Sequence, residues 1–284
     1  MKPLAIVGVG SWAHVAGDAP AELRAELKSA VPNAPRRLNR LIELALIGAH
    51  RALAGSLPPP GTAIYTAFTS GCIGDSALMV NNVVHGRPSM PVTFINVSSN
   101  MAGFYVASSL GLHSANHVVS ATDFAWESAL ELGLLGAGRS LLLGAVEECA
   151  WPLPEHRERL HLSPGTPLLE SSQWLFGDRE ARASRGAIRH VERVADDAAL
   201  AGLLGRLAPS THLRLQGGDA SRAAALAGQT GAALWSGGEA EGFTGLSSAL
   251  ACCRFLLRER GVLLHLTRGT SGAWYAVQIE SCGV

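Results

Sequence analysis

One stretch constrains the fold of this chain more than any other. Residues 116–148, NHVVSATDFAWESALELGLLGAGRSLLLGAVEE, read as strand, sharp turn, helix, glycine-containing loop and strand. Val118 and Val119 form a β-branched core bounded by polar residues. Residues 124–135 carry helix formers with apolar positions three and four apart. Residues 141–146 are a short apolar run, the pattern of a strand buried on both faces. A helix entered directly from a strand presents its first free N–H groups to a pocket. An active centre in such a chain belongs at the turn 120–124.

The remainder alternates in the same way. Strands are expected at 4–9, 63–68 and 92–95, and helices at 21–31, 35–53 and 99–110. A small-residue loop at 69–74 leads to a further helix with Asp75 as its N-cap. Residues 152–167, with three prolines before Pro167, are the candidate junction between an N-terminal half, 1–150, and a C-terminal half, 166–284, within one domain, 1–284. Strands at 168–175 and 187–194 flank 177–186 as a hairpin. Helices at 196–207, 219–230 and 243–258 then alternate with strands at 212–215, 232–235, 262–266 and 274–279. Such alternation implies an α/β architecture with largely buried sheets.

Composition narrows the classes. The 23 basic and 23 acidic residues cancel, which argues against a nucleic-acid partner. No apolar run is long enough for a membrane span. A mean hydropathy of +0.20 with 16% charged residues predicts deep burial or a surface covered by a partner. The opening residues faintly imitate a signal peptide, but Gly8 and Gly10 interrupt the apolar part, so a first strand is expected. Five cysteines, odd in number and without CxxC spacing, suit reduced thiols in a cytoplasmic protein and predict no metal. His113 and His117, four apart, fall on a turn and a strand rather than one helix face. Gly8, Gly10 and Ala13 fit a dinucleotide fingerprint, yet Gly17 and Pro20 deny it a helix and no acidic residue stands at the ribose position. No cofactor is therefore expected.

In order along the chain, four pieces resemble the β-ketoacyl synthases. They are the opening strand at 4–10, the helix around Pro35 to Ala45, the helix and turn at 100–116, and the strand at 138–148 with Gly144, Ala145, Val146 and Glu147. The second half is similar more loosely, through 213–218, 239–249 and 269–280. The resemblance implies a thiolase-like fold of two pseudo-duplicated halves, layered α-β-α-β-α, in a compact version.

The departures from the family bear on function. Condensing enzymes place a cysteine at the turn that opens the helix after the nucleophile strand. Here Thr122 or Asp123 stands there, and either suits a helix cap better than an acyl nucleophile. The family's two histidines are replaced by Gln216 and Phe243, and its lysine would fall near Gly238. These degenerate positions imply no catalytic residues, as in a chain length factor that pairs with an active ketosynthase in a type II polyketide synthase, of the aryl polyene kind by size. Acyl carrier protein would be an indirect partner. The edge strand His117, Val118, Val119 and Ser120 would form the dimer interface, and Met101, Phe104 and Tyr105 would line the tunnel. The alternatives are an acyltransferase or hydrolase with Ser120 or Cys72 as a replacement nucleophile, or a homodimeric scaffold.

Overall fold

The computed structural model describes residues 3–88, 90–237 and 242–283. Its strands are β1 (Leu4–Val15), β2 (Ala63–Phe68), β3 (Asn116–Ser120), β4 (Ser140–Glu147), β5 (Leu169–Asp178), β6 (Gly186–Val194), β7 (His212–Gln216), β8 (Ala233–Leu234), β9 (Gly261–Arg268) and β10 (Trp274–Ser281). Its helices are α1 (Arg24–Ala30), α2 (Arg40–Leu53), α3 (Ile73–Val84), α4 (Pro91–Asn96), α5 (Asn100–Leu110), α6 (Ala125–Leu135), α7 (Leu153–Arg159), α8 (Asp197–Leu204), α9 (Ala220–Thr230) and α10 (Ser247–Arg258).

The strands lie in the order β3-β2-β4-β5-β1-β6-β10-β9-β7-β8. Reading outward from the β1–β6 seam, each side repeats one plan. In the first unit β2 is parallel to β3 and β4, β4 is antiparallel to β5, and β5 to β1. In the second, β7 is parallel to β8 and β9, β9 is antiparallel to β10, and β10 to β6. The seam itself is the antiparallel pairing of Leu4, Ala5 and Ile6 with Ile188, Ala187 and Gly186. The expected duplication is thus written in the strand order. The repeat divides between Asp178 and Gly186. The expected junction at 152–167 instead contains α7, because β5 must return antiparallel to complete the first unit.

Burial separates the layers by strand period. On β4, Leu141, Leu143 and Ala145 join the central core with α6 and α10, whereas Leu142 and Val146 join an outer core with α2. On β10, Tyr275, Val277 and Ile279 face the centre, and Trp274 and Ala276 face Leu200, Leu203 and Leu226 of α8 and α9. The result is helices, sheet, helices, sheet, helices, the layered α/β arrangement expected.

Several local expectations are corrected. The glycine fingerprint lies inside β1, which continues to Val15 without a turn. Gly8 and Gly10 are there for packing: a Cβ on either would run into the backbone of α2 at Gly48 or Ala52. Residues 92–95 are not a strand; Pro91 sits at the first position of α4, where its fixed φ favours a helical turn over the β-branched preference of Val92, Thr93 and Ile95. Asp75 lies inside the first turn of α3, whose N-cap is Cys72. β5 and β6 do not form a hairpin, because β1 lies between them.

α3 and α4 sit between β2 and α5, where the second unit has only a short loop between β7 and α9. None of the twelve residues of α3 is buried. Leu78, Val80, Val83 and Val84 are exposed, as are Phe94 and Ile95 of α4. β3, at one end of the sheet, pairs among the described residues only with β2. No helix among the described residues is long and apolar enough to cross a membrane.

Candidate functional site

The parallel strands deliver their C-terminal ends, and the loops that follow, to one crevice. Thr69 and Ser70 follow β2, Thr122 follows β3, Glu147 ends β4, and Glu148 and Cys149 follow it. Phe243, Thr244 and Gly245 precede α10, and α7 closes the side with His156 and Arg159. Together they enclose a cavity of about 330 Å³.

The elbow is built around Phe124. It enters α6 with φ 62° and ψ 22°, a left-handed backbone that glycine favours. Its ring packs edge-on to Tyr275 at 5.1 Å, and the Arg193 guanidinium lies over it at 5.7 Å. Gly269 is required beneath: a Cβ there would lie 2.5 Å from Phe124 Cζ. Neither Thr122 nor Asp123 caps α6, which has no side-chain cap. Asp123 instead latches the β9–β10 loop. Its Oδ2 accepts from Thr270 N at 2.8 Å and from Thr270 Oγ1 at 2.6 Å. The carboxylate has turned toward the other half of the molecule, so the cap expectation is corrected.

The other expected positions divide. Thr122 and Phe243 both line the cavity. Phe243 is fixed by its backbone, donating to Pro167 O at 2.7 Å and accepting from Leu169 N at 2.8 Å. Gln216 ends β7 away from the cavity lining, and its Oε1 is buried with no hydrogen-bond partner among the described residues. Gly238, the lysine position, and residues 239–241 lie outside the described residues. Met101 and Tyr105 pack on the outer core beside α2, while Phe104 is 54% exposed; none of the three lines this cavity. On β3, Asn116, His117 and Ser120 are exposed, and the His117 ring stacks on Tyr65 at 4.8 Å.

The cavity's acidic wall was not legible in the sequence. Glu147 is buried, and its carboxylate accepts from Ser70 N at 3.2 Å and from the Thr69 hydroxyl. Burial raises its pKa against those hydrogen bonds. Glu148 accepts from Gly74 N at 2.8 Å, yet burial, with Glu170 and Asp75 nearby, pushes it up to about 8. Burial, with Glu170 and Glu147 nearby, also raises the Cys149 thiol, and burial lowers the His156 imidazole. Glu170 is neutralised by Arg40, whose Nε and Nη2 donate at 2.6 and 2.5 Å. A nucleophile needs an ionised or base-activated atom. Burial and nearby carboxylates disfavour the Cys149 and Cys72 thiolates, and Cys72 accepts from Asn39 Nδ2 at 3.0 Å. Neither Cys72 nor Ser120 has a histidine hydrogen-bond partner among the described residues. Among these residues there is also no cluster of three or more metal-ligating side chains.

No protein-family model matches the chain, and no curated protein matches it in sequence. Solved structures do. The ishigamide ketosynthase/chain length factor is similar with a TM-score of 0.72 at 16% identity, over 98% of this chain and 99% of that one. A ketosynthase in complex with its chain length factor from Xenorhabdus doucetiae is similar with a TM-score of 0.58 at 12% identity, over 98% and 99%. A 3-oxoacyl-(acyl carrier protein) synthase III from Pseudomonas aeruginosa PAO1 is similar with a TM-score of 0.56 at 18% identity, over 99% and 98%. The duplicated strand order, the central helices and the elbow crevice thus belong to a chain with the thiolase-like fold of the ketosynthases and chain length factors.

Proposed function

We propose that the chain is a catalytically silent, chain-length-factor-like subunit, 1–284 acting as one unit, that pairs with an active ketosynthase. The observation that carries this reading is the elbow. Its turn offers Thr122, Asp123 and Phe124 where an acyl-transfer enzyme needs an activated nucleophile, and Asp123 is committed to Thr270. Phe243 has no group able to stabilise a developing oxyanion.

The pairing surface is the β3 edge together with α3 and α4. An open strand edge is a template for another strand. The apolar side chains beside it, led by Val83 and Val84 at 69% and 73% exposure, form a surface of the kind partners cover. His117, Val118, Val119 and Ser120 would continue the sheet into the partner. The resemblance to ketosynthase–chain length factor complexes supports a ketosynthase as the partner. Met101, Phe104 and Tyr105 would act on the growing chain only through the assembled pair, Phe104 from the exposed face of α5. Acyl carrier protein would deliver that chain to the ketosynthase in the cytoplasm, and an aryl polyene is the product class the chain's size suggests.

Two measurements test this. The purified chain, given an acyl-carrier or acyl-CoA donor, should take up no label. Co-expressed with a ketosynthase encoded beside it, it should elute as a one-to-one complex that Val83→Asp with Val84→Asp dissolves while the fold survives. Covalent acylation at Thr122, Asp123 or Cys72 would sink the proposal, and a symmetric homodimer that ignores the ketosynthase would replace it with a scaffold.

A further inference from the structure

Three helices end at one cavity, at the opposite end of the parallel strands from the elbow. α2 leads into β2 and α5 into β3, so both stop where those strands begin, whereas the elbow crevice lies where they finish. The cavity has a volume of about 590 Å³. Its wall takes Ser29 and Ala30 from the last turn of α1, His50 and Leu53 from that of α2, and Ser109 and Leu110 from that of α5.

The last carbonyls of a helix find no partner in its own backbone. They point past its end and carry partial negative charge, about half an elementary charge for a helix of several turns. Here the carbonyls of Ser29, Ala30, Ser109 and Leu110 accept no hydrogen bond among the described residues. His50 adds a further acceptor. The Ser109 hydroxyl donates its one proton to Val106 O at 2.9 Å. The 3.0 Å contact between Ser109 Oγ and His50 Nε2 therefore needs a proton on Nε2. Partial burial favours the neutral ring, which then carries a lone pair on Nδ1. That atom has no hydrogen-bond partner among the described residues. The two side-chain charges in the wall offset each other: Arg51 pairs with Glu26, and its Nη1 donates to Ser11 O at 3.1 Å.

What remains is a set of acceptors without donors, in a field that favours a cation. A lone metal ion is far too small for this volume, which falls among small-molecule pockets of about 300–1,000 Å³. An alkylammonium brings three donors, no acceptor and an apolar stem. We propose that this cavity binds a small aliphatic ammonium. Its –NH3+ group donates to the helix-end carbonyls and to His50 Nδ1, and its carbon chain lies against Pro32, Leu53 and Leu57. The site draws on neither the elbow nor a partner, so its failure and that of the pairing are separate results.

Titration of the full chain with pentylamine, pentanol and pentanoate tests it, followed by nitrogen NMR of the histidine rings. At neutral pH the amine is fully protonated. Pentylammonium should bind saturably and at least about tenfold more tightly than either pentanol or pentanoate. The His50 ring signals should show the Nε2–H tautomer in the free chain, and the Nδ1 signal should move in step with occupancy. His50→Phe keeps a ring and removes the acceptor. Ser29→Trp fills the cavity from an exposed position, so circular dichroism should show it folded. Each folded variant should weaken pentylammonium by about fivefold or more. Should His50→Phe fail to fold, Ser29→Trp and the ring signals decide alone. Absence of saturable binding removes the site. Pentanol binding as tightly makes it an apolar pocket, and pentanoate binding as tightly makes it an anion site. Static His50 signals, or unchanged affinity in either folded variant, place the amine elsewhere. Any of these results overturns the proposal.

Discussion

Phe124 holds a left-handed backbone, which costs a residue with a Cβ about 1 kcal/mol or more, and repays it by packing its ring in the central core. The two effects separate on substitution. Phe124→Ala keeps the backbone strain and loses the ring, so urea unfolding should show a loss of about 3 kcal/mol. Phe124→Gly loses the same ring but relieves the strain, and should be more stable than the alanine variant by about 1 kcal/mol. Equal stabilities would mean that the strain is not felt. Glu148 makes a second prediction at this scale. Its carboxyl holds a proton to about pH 8 in the folded chain, against a reference value of 4.5. Its contribution is therefore complete below the lower value and is lost as pH rises through the upper one. Glu127 and Glu147 are raised by burial too and slope the same way. Glu148→Gln should flatten part of the fall in stability between roughly pH 5 and 9. Parallel curves for the two proteins would refute the assignment.

At the scale of elements, the contact between β1 and α2 depends on absent side chains. Gly10→Ala should destabilise by about 1–3 kcal/mol, measured by thermal unfolding, because the new methyl meets backbone that cannot yield. The Asp123–Thr270 latch joins the elbow to the β9–β10 loop, and Asp123→Asn should raise amide exchange at 269–273 while the α6 amides stay protected. These two contacts also show what the sequence revealed. Strand and helix periods along 116–148 were readable because local pattern and burial agree there. The purpose of Gly8 and Gly10 was not, since a motif does not reveal which element will pack across it. Asp123 read as a cap because its natural local partner is the next helix, whereas its actual partner is 147 residues away. The acidic wall was hidden for the same reason: Glu147 and Glu148 gain their character from loops that only the fold brings near.

For the whole molecule, the repeat of one five-stranded plan explains which parts are additions. α3 and α4 have no counterpart in the second unit, and they carry the exposed apolar face. An insertion whose longer helix, α3, buries none of its residues in its own chain is maintained by what it covers elsewhere. The seam has another consequence, for synthesis. β1 is made early, yet both strands that flank it, β5 and β6, follow more than 150 residues later. At common elongation rates of about 5–20 residues per second, β1 would wait on the order of ten seconds or more for its first neighbour. Throughout that interval a twelve-residue strand has α2 to lie against but neither of its strand neighbours. The first unit cannot close vectorially, and the emerging chain offers nascent-chain chaperones a defined target: its own first strand.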